Sequence, residues 1–354
     1  MKNIFKFSLP FFFLLFSFFV TRAQVGGTSV FTLLNQSPSA RVTAMGGNFI
    51  SVLDGDASLA YQNPALLNPA MSNQLSLNYT DYLAGIKGGY AGYAHTVKKI
   101  GTTFNGGIQF LNYGDFVATD ELGNTSGTFN GSEYVLTLGA GREYSERFYY
   151  GLNATFLTSR LGEYTAAGAA VSLAGAYNDS AHGFTATVQI KNVGTQFKSY
   201  TSSNNEPLPF DLQAGISKRV EHTPFLFSLV LHDLYRWDIR YSDPNEVITT
   251  SILLDSTQQV KNKDYTADKI FLHTIIGTEI YFGKNFHISI AYNHQRRAEL
   301  AFENRKGLSG FSFGAGIKIN RFSFDYGRAV YNLADGVNHL SLGVNLDQLF
   351  GKRM

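Results

Sequence analysis

The chain has 354 residues, a formal net charge of +2 and no cysteine. Disulfides, thiolate chemistry and lipoprotein anchoring are thereby excluded, and the charge is too small to argue for a nucleic-acid partner. Gly, Phe and Tyr are abundant, with only one Trp, and mean hydropathy is near neutral. No run past residue 23 is apolar and long enough for a helical membrane span. A strand-built membrane protein remains open, because a barrel strand shows only every second residue to lipid.

In chain order, the first feature is a secretory signal. Met1–Lys6 carries two lysines, Phe7–Val20 is almost wholly apolar, and Thr21-Arg22-Ala23 offers small residues at both cleavage positions. This predicts a signal peptide over residues 1–23, with Gln24 as the mature first residue. An uncleaved anchor is the alternative. Residues 24–73 follow. They do not alternate, and they contain the apolar runs Val30–Leu34 and Ala65–Leu67. Such runs sit poorly in a free tail, so the segment is expected as a plug inside a barrel lumen.

From residue 74 the pattern has period two. Phe311, Phe313, Ala315, Ile317 and Ile319 alternate with Ser312, Gly314, Gly316 and Lys318. Leu340, Leu342 and Val344 alternate with Ser341, Gly343 and Asn345. Residues two apart share a strand face, so each segment has one apolar and one small or polar face. The predicted strand cores are 74–82, 86–97, 102–113, 131–143, 147–160, 165–178, 181–193, 209–220, 223–235, 270–282, 286–297, 309–319, 321–330 and 338–347. Residues 74–354 are therefore read as an all-β, 14-stranded antiparallel transmembrane β-barrel. Tyr79, Tyr82, Tyr90, Tyr93, Tyr149, Tyr150 and Tyr281 lie near segment ends and are expected in interfacial girdles. Aromatic cross-strand pairs in a soluble sheet are the alternative.

The connections alternate in length. Gly101-Thr102, Asn178-Asp179 and Lys284-Asn285 mark tight turns, whereas Phe116–Asn130, Thr195–Pro207, Arg236–Lys269 and Ala298–Lys306 are long. Outer-membrane barrels keep short turns in the periplasm and long loops outside. The long loops also carry the candidate binding residues. Arg236, Trp237 and Arg240 belong to the residue types that dominate binding hot spots, with the apolar run Ile248–Leu254 in the same loop. Arg296, Arg297, Arg305 and Lys306 form a basic cluster suited to partner acids or lipopolysaccharide phosphates. A girdle position for Trp237 and a solvated loop for the arginines are the plainer readings.

Ser39-Ala40-Arg41-Val42-Thr43-Ala44-Met45-Gly46-Gly47, then Asp54-Gly55-Asp56-Ala57, then Asn63-Pro64-Ala65, occur in that order. The order resembles the plug of FadL-like outer-membrane barrels in their PorV/PorQ branch. The motifs cover only the plug; length and layout agree over the mature chain. The resemblance implies a component of the type IX secretion system that holds PorZ at the cell surface, with PorU and PorV as further partners. A FadL-like transporter of hydrophobic small molecules is the alternative. Read locally, Asn-Pro-Ala makes a turn, Gly46-Gly47 permits positive φ or close approach, and Arg41 is suited to pair with a lumen carboxylate.

No enzyme is expected, nor a metal or cofactor. The eight His are scattered, and no phosphate-cradling loop occurs. His339-Leu340-Ser341 resembles the His-x-Ser stretch of the outer-membrane phospholipase A family. However, Leu342 stands where that family has a polar residue, no orienting partner is evident, and His287-Ile288-Ser289 repeats the spacing by chance.

Overall fold

A computed structural model describes residues 29–201, 205–240, 266–300, 307–332 and 336–347. The expected signal peptide, Ile248–Leu254, Arg305 and Lys306 lie outside the described residues. Fourteen antiparallel strands form a closed barrel. They are β1 (Gln74–Asp81), β2 (Lys87–Val97), β3 (Thr102–Thr119), β4 (Thr125–Ser145), β5 (Phe148–Leu161), β6 (Tyr164–Asp179) and β7 (Phe184–Lys198). Then come β8 (Asp211–Arg219), β9 (Phe225–Leu231), β10 (Thr274–Phe282), β11 (Phe286–Asn293), β12 (Phe311–Ile319), β13 (Phe322–Val330) and β14 (Gly336–Asn345). Each strand pairs with its sequence neighbours, and β1 pairs with β14 to close the ring. Closure leaves no edge strand, the condition for a sheet in lipid.

The burial pattern is inverted relative to a soluble protein. On β1, Ser76, Asn78 and Thr80 are buried, while Leu77 and Tyr79 are 39% and 45% exposed. On β4, Glu133 and Thr137 are buried, and Leu136 and Leu138 are exposed. Apolar side chains face out and polar ones face in on the same strand, which suits hydrocarbon outside and a filled polar lumen within. The chain is thus an outer-membrane barrel. Connections at one end are short, among them 146–147, 283–285 and 320–321. The opposite end carries 199–210, 232–273 and 294–310, the end that faces outside in such barrels.

Several expected boundaries move, β7 among them, which runs to Lys198 and not to 193. Phe116–Asn130 is not a loop: β3 and β4 continue as a ladder to Thr119–Thr125, with register shifts near Tyr113 and Ala118. The extension is rich in Gly, Thr and Asn, and exposed on both faces, so no alternation marks it. Ladder hydrogen bonds do not require alternation, and Phe116 stacks on Phe129 at 5.3 Å to staple it. Strand β9 stops at Leu231, and residues Thr266–Leu272 form a helix before β10. Strand β11 stops at Asn293, and His294–Leu300 is helical. Four girdle assignments also fail. By parity, Tyr149 shares the inward side of β5 with Asn153. Tyr82 packs against the N-terminal segment and donates to Gln36 at 3.1 Å. Tyr90 is 3% exposed and points inward, and Tyr281 joins the lumen network described below. Tyr79, Tyr93 and Tyr150 do face outward.

Candidate functional site

The N-terminal segment lies against the inward faces of the strands. Its elements are short: helix α1 (Ala40–Ala44) and several single 3-10 turns. Helices this short are marginal alone, so the wall and the caps hold them. Ser39 caps α1, its Oγ accepting from the Val42 amide at 3.3 Å. Asn63 shapes the next turn twice over. Its Oδ1 accepts from the Ala65 amide at 2.9 Å, and its Nδ2 donates to the Ile50 carbonyl at 2.7 Å. Pro64 begins the turn, where a missing N–H costs nothing.

A second copy of this device went unremarked in the sequence. Asn68-Pro69-Ala70 repeats it, with Asn68 Oδ1 accepting from Ala70 and Nδ2 donating to the Asp54 carbonyl at 2.6 Å. The repeated Asn-Pro-Ala at a spacing of five was the available signal.

Arg41 is the centre of the site. It is 7% exposed, and its Nε and one Nη meet the two Glu279 oxygens at 2.8 Å each. Its other Nη meets Asp54 at 2.7 Å and Asp56 at 3.3 Å. Tyr281 closes the network, donating to Glu279 at 2.6 Å, and Ser289 adds a bond at 3.4 Å. His287 stands 3.5 Å from Asp325 and 4.0 Å from Glu279. Glu279 is fully buried, so its charge is tolerable only with the bidentate guanidinium present. Glu279 was missed in the sequence, although an acid at an inward position in mid-strand is its mark.

Gly46 and Gly47 adopt φ of 87° and 97°. A Cβ on Gly46 would stand 2.5 Å from Ile275 Cγ2. Both reasons for glycine therefore apply there. The Gly46 carbonyl accepts from Arg296 at 3.0 Å and from Asn293 at 3.2 Å.

The opposite side of the lumen is apolar. Val30, Phe31, Leu33 and Leu34 pack with Tyr61 against inward-facing Tyr90, Leu111, Val135 and Leu157. On the same wall Ser159 donates to the buried Glu133 at 3.3 Å. Phe31 is left-handed at φ 57°, an outlier for a bulky residue.

The candidate docking residues divide. Trp237 is 60% exposed, stacked on His273 at 6.3 Å, and Arg236 lies over the Tyr235 ring at 5.2 Å. Arg240 bonds Asp238 at 3.1 Å, and Lys269 meets the same carboxylate at 2.7 Å. These cations, Arg240 first, hold the Asp238 carboxyl well below the usual carboxylate range. Arg296 turns inward, to Gly46 and to Ser312 at 3.0 Å, and is not presented to a surface partner as expected. Arg297 ties its own loop, reaching the Ser309 carbonyl at 3.2 Å. Ser341 accepts the Ala40 amide at 2.8 Å, and His339 meets Thr80 at 3.0 Å, so the His-x-Ser pair serves packing. Among the described residues no cluster of three or more His, Asp or Glu could hold a metal ion.

No family model matches the chain, and no curated protein matches it. Solved structures do. A deltaS2 mutant of the TodX monoaromatic hydrocarbon channel is 12% identical at a TM-score of 0.50, covering 87% of this chain and 97% of that one. The Pseudomonas putida toluene transporter TodX is 12% identical, covering 87% and 96%, at a TM-score of 0.47. A Pseudomonas aeruginosa FadL homologue is 10% identical, covering 87% and 98%, at 0.46. The first of these identifies the fold as FadL-like.

Proposed function

We propose that this barrel is closed by its N-terminal segment and serves as a membrane anchor for a protein at the cell surface. The resemblance to the PorV/PorQ branch points to a PorQ-like role in the type IX secretion system, with a PorZ-like partner and PorU and PorV nearby. The observation that carries the anchor reading is the Arg41–Glu279 lock inside an occupied lumen. Removing one partner of such a buried pair costs about 3–5 kcal/mol. A segment held that firmly is suited to permanent closure. The outer loops then present the partner surface, with Arg236 and exposed Trp237 at its centre.

A second reading has its own support. The channel with the TodX fold is named for monoaromatic hydrocarbons, and the patch around Phe31 gives this lumen one apolar side. On that reading the chain transports small hydrophobic molecules, and residues 30–34 leave the patch when a ligand enters.

One pair of measurements separates the two. Arg236→Ala/Trp237→Ala should release the surface partner during native pull-down while the barrel stays in the outer membrane. Arg240 is best left intact, because its pairing with Asp238 supports the loop itself. Retention of the partner at wild-type levels would count against this docking site. Normal secretion in a strain lacking the chain, together with lost uptake of aromatic hydrocarbons, would replace the anchor by the transporter.

A further inference from the structure

A barrel wall is ordinarily convex toward lipid. Here, side chains from seven neighbouring strands, β3 through β1 and β14 to β11, line one concavity of about 890 Å³. Leu77, Ala91, Phe324 and Leu342 line it between Phe110 on β3 and Phe286 on β11. The cause lies inside. Inward-facing Gly314 and Gly327 lie so near α1 that a Cβ there would collide with Ala44 and Ala40. Small inward residues let this part of the wall lean onto the helix.

The ladder register places a polar row at the outer end of the same face. Lys87, Asp81, Asn338 and Arg328 stand directly opposite one another on β2, β1, β14 and β13. Asp81 follows Leu77 and Tyr79 at two-residue spacing, so the row shares their outward face. Neighbouring strands are about 4.8 Å apart, which separates Lys87 from Arg328 by about 14 Å. Arg328 and Tyr326 both donate to Asn338 Oδ1 at 2.8 Å, steadying that end. The next row inward along the strands is Gly89, Tyr79, Leu340 and Tyr326, and the one after is Ala91, Leu77, Leu342 and Phe324. Charge lies above apolar surface, in the order an amphiphile presents them.

We infer that this face seats one phosphorylated glycolipid of the outer leaflet, its acyl chains in the concavity and its phosphates at Lys87 and Arg328. Two cations set apart suit a head with two separated phosphates. The concavity accommodates the acyl chains of this glycolipid or of a two-chain phospholipid, so the two separated cations are what select the head. Asp81 is the opposing charge in the row and weakens the site. The inference depends on the orientation of the barrel and not on what its loops bind.

The test is native mass spectrometry of the detergent-purified barrel incubated with bisphosphorylated lipid A. One lipid per wild-type barrel is expected. A basic residue near an anionic lipid contributes roughly fivefold, so Lys87→Ala/Arg328→Ala should lower retention about tenfold or more. Lys87→Ala alone, which leaves the Arg328–Asn338 contact intact, should lower it severalfold. Ala91→Trp should displace the lipid with the charges intact, and Asp81→Asn should strengthen retention. Lys318→Ala, at the opposite end of the barrel, should change nothing. Heat-modifiable gel migration confirms that each variant is folded. Absence of lipid on wild type, equal retention by the charge variants, or equal retention of a monophosphorylated phospholipid would overturn the inference.

Discussion

The N-terminal segment is held on its two sides by different physics. On the β10–β14 side, Arg41 meets the buried Glu279 with two 2.8 Å bonds, and Ala40 donates its amide to Ser341 on β14. On the β2–β5 side, Phe31, Leu33 and Leu34 fill an apolar patch. An ionic lock has narrow geometry and fails abruptly when one partner is lost. Apolar contact is tolerant of shape and fails in proportion to the atoms removed. One side thus fixes register, and the other supplies contact area.

The largest effect should come from Arg41→Met. It leaves Glu279 uncompensated at zero exposure, at a cost of about 3–5 kcal/mol. Solute uptake through the outer membrane should rise while the barrel remains heat-modifiable. Arg41→Met/Glu279→Leu should recover much of the closure, because the fully buried Glu279 charge is gone. Asp54 and Asp56 also lose Arg41 but keep partial solvent exposure. If the single and double variants leak equally, the lock is not what holds the segment. A smaller effect is expected at the apolar side. Phe31→Ala should cost about 3 kcal/mol of segment docking. Phe31→Gly should be milder by about 1 kcal/mol, since glycine relieves the left-handed backbone at φ 57°. Protease protection of the segment reads both. A milder alanine variant would mean that residue 31 relaxes out of the left-handed region on substitution.

Alternation was legible wherever a strand has lipid on one side and lumen on the other. Phe311–Ile319 and Leu340–Val344 therefore read correctly as strands. It was not legible in the β3–β4 extension, where both faces are exposed and only backbone bonding defines the ladder. In the N-terminal segment, Arg41, Gly46 and Asn63 stood out as residue types. Asn63 has local partners, but Glu279, the partner of Arg41, and Ile275, which crowds Gly46, lie more than two hundred residues away. Such pairings are set by barrel closure, which no local pattern encodes. Arg296 shows the same limit: a basic cluster in a loop looks solvent-facing until the fold places one member against Gly46.

The smallest expected effect lies outside the lumen and contrasts an exposed clamp with the buried lock. Asp238 accepts from Arg240 and Lys269, which hold its carboxyl well below the ordinary range. A depressed carboxyl contributes stability above its unfolded value, near 3.9, and loses it as pH falls through the folded value. The clamp should therefore be constant from pH 8 to 5 and should open only below about pH 4. Trp237 is the only Trp in the chain and adjoins Asp238, so its fluorescence reports the clamp directly. Emission should hold steady to pH 5 and shift below 4, and Asp238→Asn should show the acid spectrum already at pH 7. Because Asp238 is exposed and the pair is screened, added salt should loosen the clamp, whereas Arg41–Glu279 should be indifferent to it. A transition centred near neutral pH would show that the indole does not report the Asp238 carboxyl.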